Sequence, residues 1–289
     1  MAARLARGRL ENRRSPSPRL NPDCPLIMMH RQVFLRAAAA TAFTVSLPRP
    51  VLAAPDAQAL LVASDAIRNP GRAFRVTVTL AEFERGSQVD ASVLHTYSRT
   101  LGESGQFVSL IQFVEPLRDA GKLLLKSGSD LWFYDPSTKA SVRISPQQRL
   151  MGQASNGDVV TVNFARDYKV MQATEEAVTD GEKRQRAALR LSLTAAGDDA
   201  TYATIEFWLD RESAAPIRAR FFADSGRLLK TAFFRRYQRQ LGVDRPTETV
   251  IIDGLNSQAI TIVRLADFQA RNLSPAWFQR DYLPRFQGE

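Results

Sequence analysis

Phe74-Arg75-Val76-Thr77-Val78-Thr79-Leu80 alternates apolar and polar residues at every step. Successive side chains of a strand point to opposite faces, so the stretch predicts a strand with one buried face. Upstream, residues 55–69 carry Leu60, Ala63 and Ile67 at helical spacing, flanked by Leu61 and Val62, and Asn69-Pro70-Gly71 ends that helix. Downstream the period of two continues. Glu84-Arg85-Gly86-Ser87 is a turn, and residues 89–101 resume with Val89, Ala91, Val93, His95 and Tyr97 on one face. Gly102-Glu103-Ser104-Gly105 turns again. In residues 106–114, Phe107, Ile111 and Phe113 oppose Val108, Leu110 and Val114. A strand that is apolar on both faces must be covered on both.

Short strands follow at residues 122–126, 130–134 and 141–145. The pattern then breaks. Residues 146–167 read as a loop leading into a short helix around Val159, Val162, Phe164 and Ala165. Strands return at residues 168–178, 186–195, 201–210, 216–223, 227–240, 246–253 and 258–268. Ser274-Pro275-Ala276-Trp277 opens a last short helix, with Ser274 as N-cap and Pro275 at its first position. About a dozen strands in series, with no dividing linker, predict a mainly β fold. One antiparallel sheet of that many strands must curl or close.

The 289 residues carry a net charge of +9. Residues 1–53 hold nine arginines against Glu11 and Asp23, so they account for +7 of it. The rest is nearly neutral and lacks the basic footprint of a nucleic-acid binder. The basic segment Met29 to Arg36 precedes eleven apolar residues, 37–47, too few to span a bilayer. Val51-Leu52-Ala53 then supplies compact residues, so residues 1–53 read as a leader and signal peptide cleaved after Ala53. Residues 1–27 have no apolar period, and Met28 and Met29 follow, which suggests a later translational start. Arg31, Phe34, Leu35 and Arg36 resemble a twin-arginine signal, but Gln32 replaces the second arginine, favouring the ordinary export route. Residues 54–289 form the predicted exported domain. The single cysteine, Cys24, lies in the leader and excludes an intrachain disulfide.

No phosphate-binding glycine loop, paired-histidine zinc motif or nucleophile elbow is present. His95, mid-strand, reads as a packed or rim residue because no nucleophile motif accompanies it. Asp198-Asp199 reads as a solvated turn rather than a metal pair. Arg235 and Arg236, adjacent in a strand, are expected on opposite faces. No catalytic residue, metal or cofactor is expected.

Four ordered motifs carry a resemblance. They are Phe113-Val114-Glu115-Pro116 with Gly121-Lys122-Leu123-Leu124-Leu125; Leu131-Trp132-Phe133-Tyr134-Asp135-Pro136 with Val142-Arg143-Ile144-Ser145; residues 152–158 with Asn163-Phe164-Ala165; and Pro216, Phe221, Phe222 with Leu228-Leu229-Lys230-Thr231. Together they resemble the periplasmic LolA-like proteins, often described as outer-membrane lipoprotein-sorting. The resemblance spans residues 55–285. It implies an incomplete antiparallel barrel of about 11 strands, with helices across its concave face around an apolar cavity.

It further implies a periplasmic, monomeric, non-enzymatic carrier of lipid or lipoprotein acyl chains. Such a carrier works beside an inner-membrane transporter, with transient membrane contact and no nucleic acid. Phe107, Ile111, Phe113, Trp132, Tyr134, Ile205, Phe207 and Phe221 are the candidate cavity residues. Ala154, Ser155, Asn156, Gly157 and Asp158 form either a lid or the cap of the following helix. The alternatives are an envelope-stress signalling or scaffold module of the same fold and an outer-membrane β-barrel. The barrel is disfavoured, because Leu123-Leu124-Leu125 and Arg235-Arg236 break the required alternation. An exported hydrolase comes last, for want of a triad.

Overall fold

A computed structural model describes residues 54–102, 105–197 and 200–288. The predicted leader, Glu103-Ser104 and the Asp198-Asp199 pair lie outside the described residues. The predicted helix is α1, Ala54–Arg68, and Phe74–Glu84 is β1. The next strands are β2 (Ser87–Leu101), β3 (Gln106–Glu115), β4 (Leu123–Ser127), β5 (Asp130–Asp135) and β6 (Ala140–Arg143). The expected loop holds more than one helix. It contains a small hairpin, β7 (Arg149–Met151) and β8 (Ala154–Ser155), then two single-turn helices, α2 (Asn156–Val159) and α3 (Phe164–Asp167). Strands β9 (Tyr168–Thr179), β10 (Gln185–Ala195), β11 (Thr204–Asp210) and β12 (Pro216–Phe222) follow. The last are β13 (Leu228–Gln240), β14 (Val243–Asp253) and β15 (Ala259–Ala270). Two 3-10 helices, Pro275–Phe278 and Arg280–Arg285, end the fold. Ser274 accepts from the Ala276 N–H, as its N-cap reading predicts.

Thirteen strands make one antiparallel sheet in the order β6-β5-β4-β3-β2-β1-β15-β14-β13-β12-β11-β10-β9, two more than the expected count. The chain starts in the middle with β1 and meanders out to β6. It then crosses to the far edge, begins again at β9 and meanders back until β15 pairs with β1. Residues 144–167 are that crossing, which is why the two-residue period fails there. The sheet stays open, with β6 and β9 each having a single neighbour among the described residues. An outer-membrane barrel closes on itself, so the barrel alternative falls here.

The main core lies on the concave face. Val76, Val78, Leu94, Ile111, Leu124 and Phe207 pack there against Ala57 and Leu61 of α1 and Val159 and Phe164 of the crossing. Polar bonds pin α1 in place. Gln58 donates to Ala165 O at 2.8 Å and accepts from Val170 N at 3.0 Å. Asp65 accepts from Ala165 N at 2.7 Å. Arg245 donates to the Ala66 and Ile67 carbonyls at 3.1 and 2.7 Å, satisfying groups that a helix end leaves free.

The convex face differs between its halves. Over β2–β5, Tyr97, Val108, Leu110, Leu123 and Leu125 are covered by Leu273, Phe278 and Leu283 of the C-terminal segment. This is the second cover that the doubly apolar β3 required. Over the other half, charged side chains form cross-strand rows. Glu206 binds Arg190 at 3.2 Å and Arg220 at 2.8 Å. Glu248, 1% exposed, takes Arg235, Arg236 and Arg264 at 2.6, 3.2 and 2.8 Å. Burial pushes the Glu248 carboxyl up, but the hydrogen bonds from Arg264 and Arg235 outweigh it and hold it below the ordinary glutamate range. The expected separation of Arg235 and Arg236 fails because Arg236 has a positive φ of 55°, which breaks the alternation and turns both to one carboxylate.

Candidate functional site

A cavity of about 170 Å³ lies between the concave face and the crossing. Its floor is Phe74, Val76 and Val78 of β1, Ala232 and Phe234 of β13, Ile251 of β14, and Val263 and Leu265 of β15. Its roof is residues 157–162 with Phe164, and Arg68 at the end of α1 stands at its side. The floor alternates along each strand as period two requires. The roof presents Val159, Val160 and Val162, and polar side chains, among them Arg68, Thr96, Asp158 and Tyr202, also reach the lining. An apolar hollow with placed polar groups is the usual form of a small-ligand site.

The roof is held by a buried ion pair. Lys230 of β13 has a side-chain exposure of 4% and binds Asp158. Its ammonium also donates to Gln153 O at 3.3 Å and Ser155 Oγ at 3.2 Å. Burial pulls Lys230 below the usual lysine range, and the adjacent Asp158 opposes that shift. Tyr202 donates to Asp158 at 2.8 Å, and its amide donates to the Tyr168 hydroxyl at 3.1 Å. Burial pushes both phenols up, so they stay protonated and act as donors or acceptors rather than charges. Lys230 thus joins Ser155 and Asp158 of the strap to the sheet, an arrangement that anchors the roof.

Gly152 and Gly157 permit the close approach of this strap. A Cβ on Gly152, at φ +53°, would collide with Thr261 Oγ1, and one on Gly157 would meet Thr201. Gln153 N donates to Thr261 Oγ1 at 2.7 Å, closing the strap onto β15.

The predicted cavity residues divide. Phe221 lines the cavity. Phe107, Ile111, Ile205 and Phe207 lie on the same concave face but pack in its core, and Phe113, in the same core, also lines a second hollow. Trp132 and Tyr134 lie on the convex face, under the C-terminal segment, and Trp132 stacks with Arg280 at 4.2 Å. Strand β5 is apolar on both sides, so alternation separates Trp132 from Phe133 without saying which side is hollow. Of the predicted lid, Gly157 and Asp158 line the cavity, while Ala154 and Ser155 are buried and Asn156, also buried, lines that second hollow. The segment shows cap geometry, with Ser155 as N-cap and its amide donating to Asp158 at 2.7 Å. Sequence reasoning does not find Val159, Val160, Val162, Ala232 and Ile251 as lining. The valines sit in the stretch that reads as a loop and a short helix, a pattern that does not point to a cavity.

A second hollow of about 450 Å³ lies under β7, lined by Leu80, Phe113, Phe133, Leu150 and Met151. Among its lining charges, Arg118 pairs with Asp90 at 3.3 Å, Lys122 with Asp119 at 2.7 Å and Arg149 with Asp253 at 3.5 Å. His95 lies on the convex face, with Nε2 2.7 Å from Arg75. Burial and the arginine both lower its pKa. Among the described residues no cluster of acids, histidines or cysteines could hold a metal ion. No described helix is long and apolar enough to cross a membrane.

The same architecture occurs in a LolA superfamily protein from Nitrosomonas europaea, at 30% identity and a TM-score of 0.69, over 78% of this chain and 98% of that one. The chain belongs to the LolA superfamily. A family model described as an uncharacterized protein matches residues 105–285 of this LolA-superfamily chain. Two further solved structures share its fold. One is a DUF1329 family protein from Desulfovibrio piger (20% identity, TM-score 0.67, covering 80% of this chain and 98% of that one). The other is a putative outer membrane lipoprotein-sorting protein domain from Vibrio parahaemolyticus (18%, TM-score 0.66, covering 81% and 100%). No curated protein matches this LolA-superfamily chain.

Proposed function

We propose that this protein is an exported carrier that shields an acyl chain of a lipid or lipoprotein in the concave cavity. The carrying observation is the apolar hollow between β1, β13–β15 and the valine roof. Each buried methylene is worth about 0.8 kcal/mol, so such a hollow draws hydrocarbon from water without a charged contact. A dry cavity of about 150 Å³ accepts benzene, so 170 Å³ takes a short length of chain, and a longer one displaces the roof. The superfamily membership and the shared fold with a lipoprotein-sorting domain support this reading.

In this reading the leader is removed after Ala53, the working domain begins at residue 54, and the protein acts in the periplasm, receiving cargo from an inner-membrane transporter. In the same reading it performs no covalent step. The test is native mass spectrometry of protein purified from an exporting host, with titration of a fluorescent fatty acid. Co-purified acyl lipid and saturable binding are expected. Lipid-free protein that also ignores the probe would overturn the carrier and leave the scaffold alternative.

A further inference from the structure

Thr96 lines the cavity from β2, is 2% exposed, and its hydroxyl has no hydrogen-bond partner among the described residues. Its neighbours on the same face behave otherwise. Ser98 Oγ lies 2.9 Å from Ser109 Oγ and 2.6 Å from Thr161 Oγ1, and Ser109 Oγ accepts from Thr161 N at 3.2 Å. Those hydroxyls close on themselves and tie the roof to β2 and β3. Thr96, two residues along, stands opposite Val76 on one side and Ile111 on the other. A buried hydroxyl without a partner is destabilising, and valine has the same shape without that penalty.

We propose that Thr96 is a specificity residue of the cavity, donating its hydroxyl to the oxygen of an acyl ester or acid. The ligand is then an oxygen-bearing amphiphile, and plain hydrocarbon of equal length is the poorer guest. This rests on the carrier reading and adds to it which end of the chain is recognised.

The test compares methyl octanoate with chain-length-matched decane, each displacing a fluorescent fatty acid, in wild type, Thr96→Val and Thr96→Ser. Wild type should prefer the ester by about threefold to tenfold, the range of one net hydrogen bond. Thr96→Val should bind both compounds equally, with decane unchanged, and should unfold at the same or a higher temperature when empty. Thr96→Ser should restore the preference. An ester preference that survives in Thr96→Val, or a variant that merely loses stability, overturns the proposal. Equal binding of both compounds by wild type overturns it while the carrier stands. Failure of every probe to bind wild type overturns both.

Discussion

Both faces of the sheet carry clustered aromatic rings, and the two clusters are built differently. On the convex face Tyr97 meets Trp277 and Phe286 edge to face at 5.6 Å each, and Trp277 meets Phe286 at 5.1 Å. The C-terminal segment inserts these rings into the sheet and leaves them in contact, the preferred aromatic geometry. On the concave face Phe164 meets Tyr168 and Phe207 at 5.6 and 5.5 Å, Tyr202 meets Phe221 at 4.5 Å, and Phe74 stacks on Phe268 at 6.3 Å. These pairs surround a hollow instead of filling it. The difference lies in the cover. The convex cover brings large side chains and is held by their burial. The concave cover packs Leu61 and Phe164 into the core, sets valines over the hollow, and is further held by polar anchors, Lys230, Gln58 and Asp65.

Removing the strongest polar anchor should break the contrast most. Lys230→Met leaves Asp158 buried without its cation, a loss of about 3–5 kcal/mol for a broken buried pair. Urea denaturation should show it, and adding Asp158→Asn should recover much of it by removing the stranded charge. A Lys230→Met variant within about 1 kcal/mol of wild type, the scale of a surface pair, would mean that the roof is fastened elsewhere.

The convex cover should respond through packing instead. Phe278, 6% exposed, fills its cluster, so Phe278→Ala should lose about 3 kcal/mol through transfer and cavity terms. Fatty-acid affinity should not change, since nothing in that cluster touches the hollow. A matching loss of binding would show that the two faces are coupled through the sheet.

The strands and their faces are legible in the sequence because alternation is a local property. Phe74 to Leu80 announces β1, and Phe107 against Val108 announces a sheet covered twice. Which face is hollow is not legible. Trp132 and Phe133 are equally apolar neighbours, and only the crossing from β6 to β9 decides that Phe133 faces the concave side and Trp132 the convex. The anchor is hidden for the same reason. Lys230 and Asp158 are 72 residues apart, and neither belongs to a motif whose chemistry suggests a pair. Val159 and Val162 read as part of a short helix, but a single turn has too few residues to show by period which side faces a hollow.

The smallest expected change in stability tests the hollow most directly. Ala232 lies on the cavity floor and is 3% exposed. In a filled core, Ala232→Phe would overpack and lose about 1–3 kcal/mol. Here the added ring has a space of about 170 Å³ to enter, a volume that accepts a benzene-sized group. Stability should therefore stay within about 1 kcal/mol of wild type, below the overpacking range, while fluorescent fatty-acid binding is lost. The same substitution separates the two explanations of a buried alanine. If the variant unfolds easily, the floor is ordinary core. If it remains stable and still binds, the ligand sits elsewhere, and the larger hollow beneath β7 becomes the place to look.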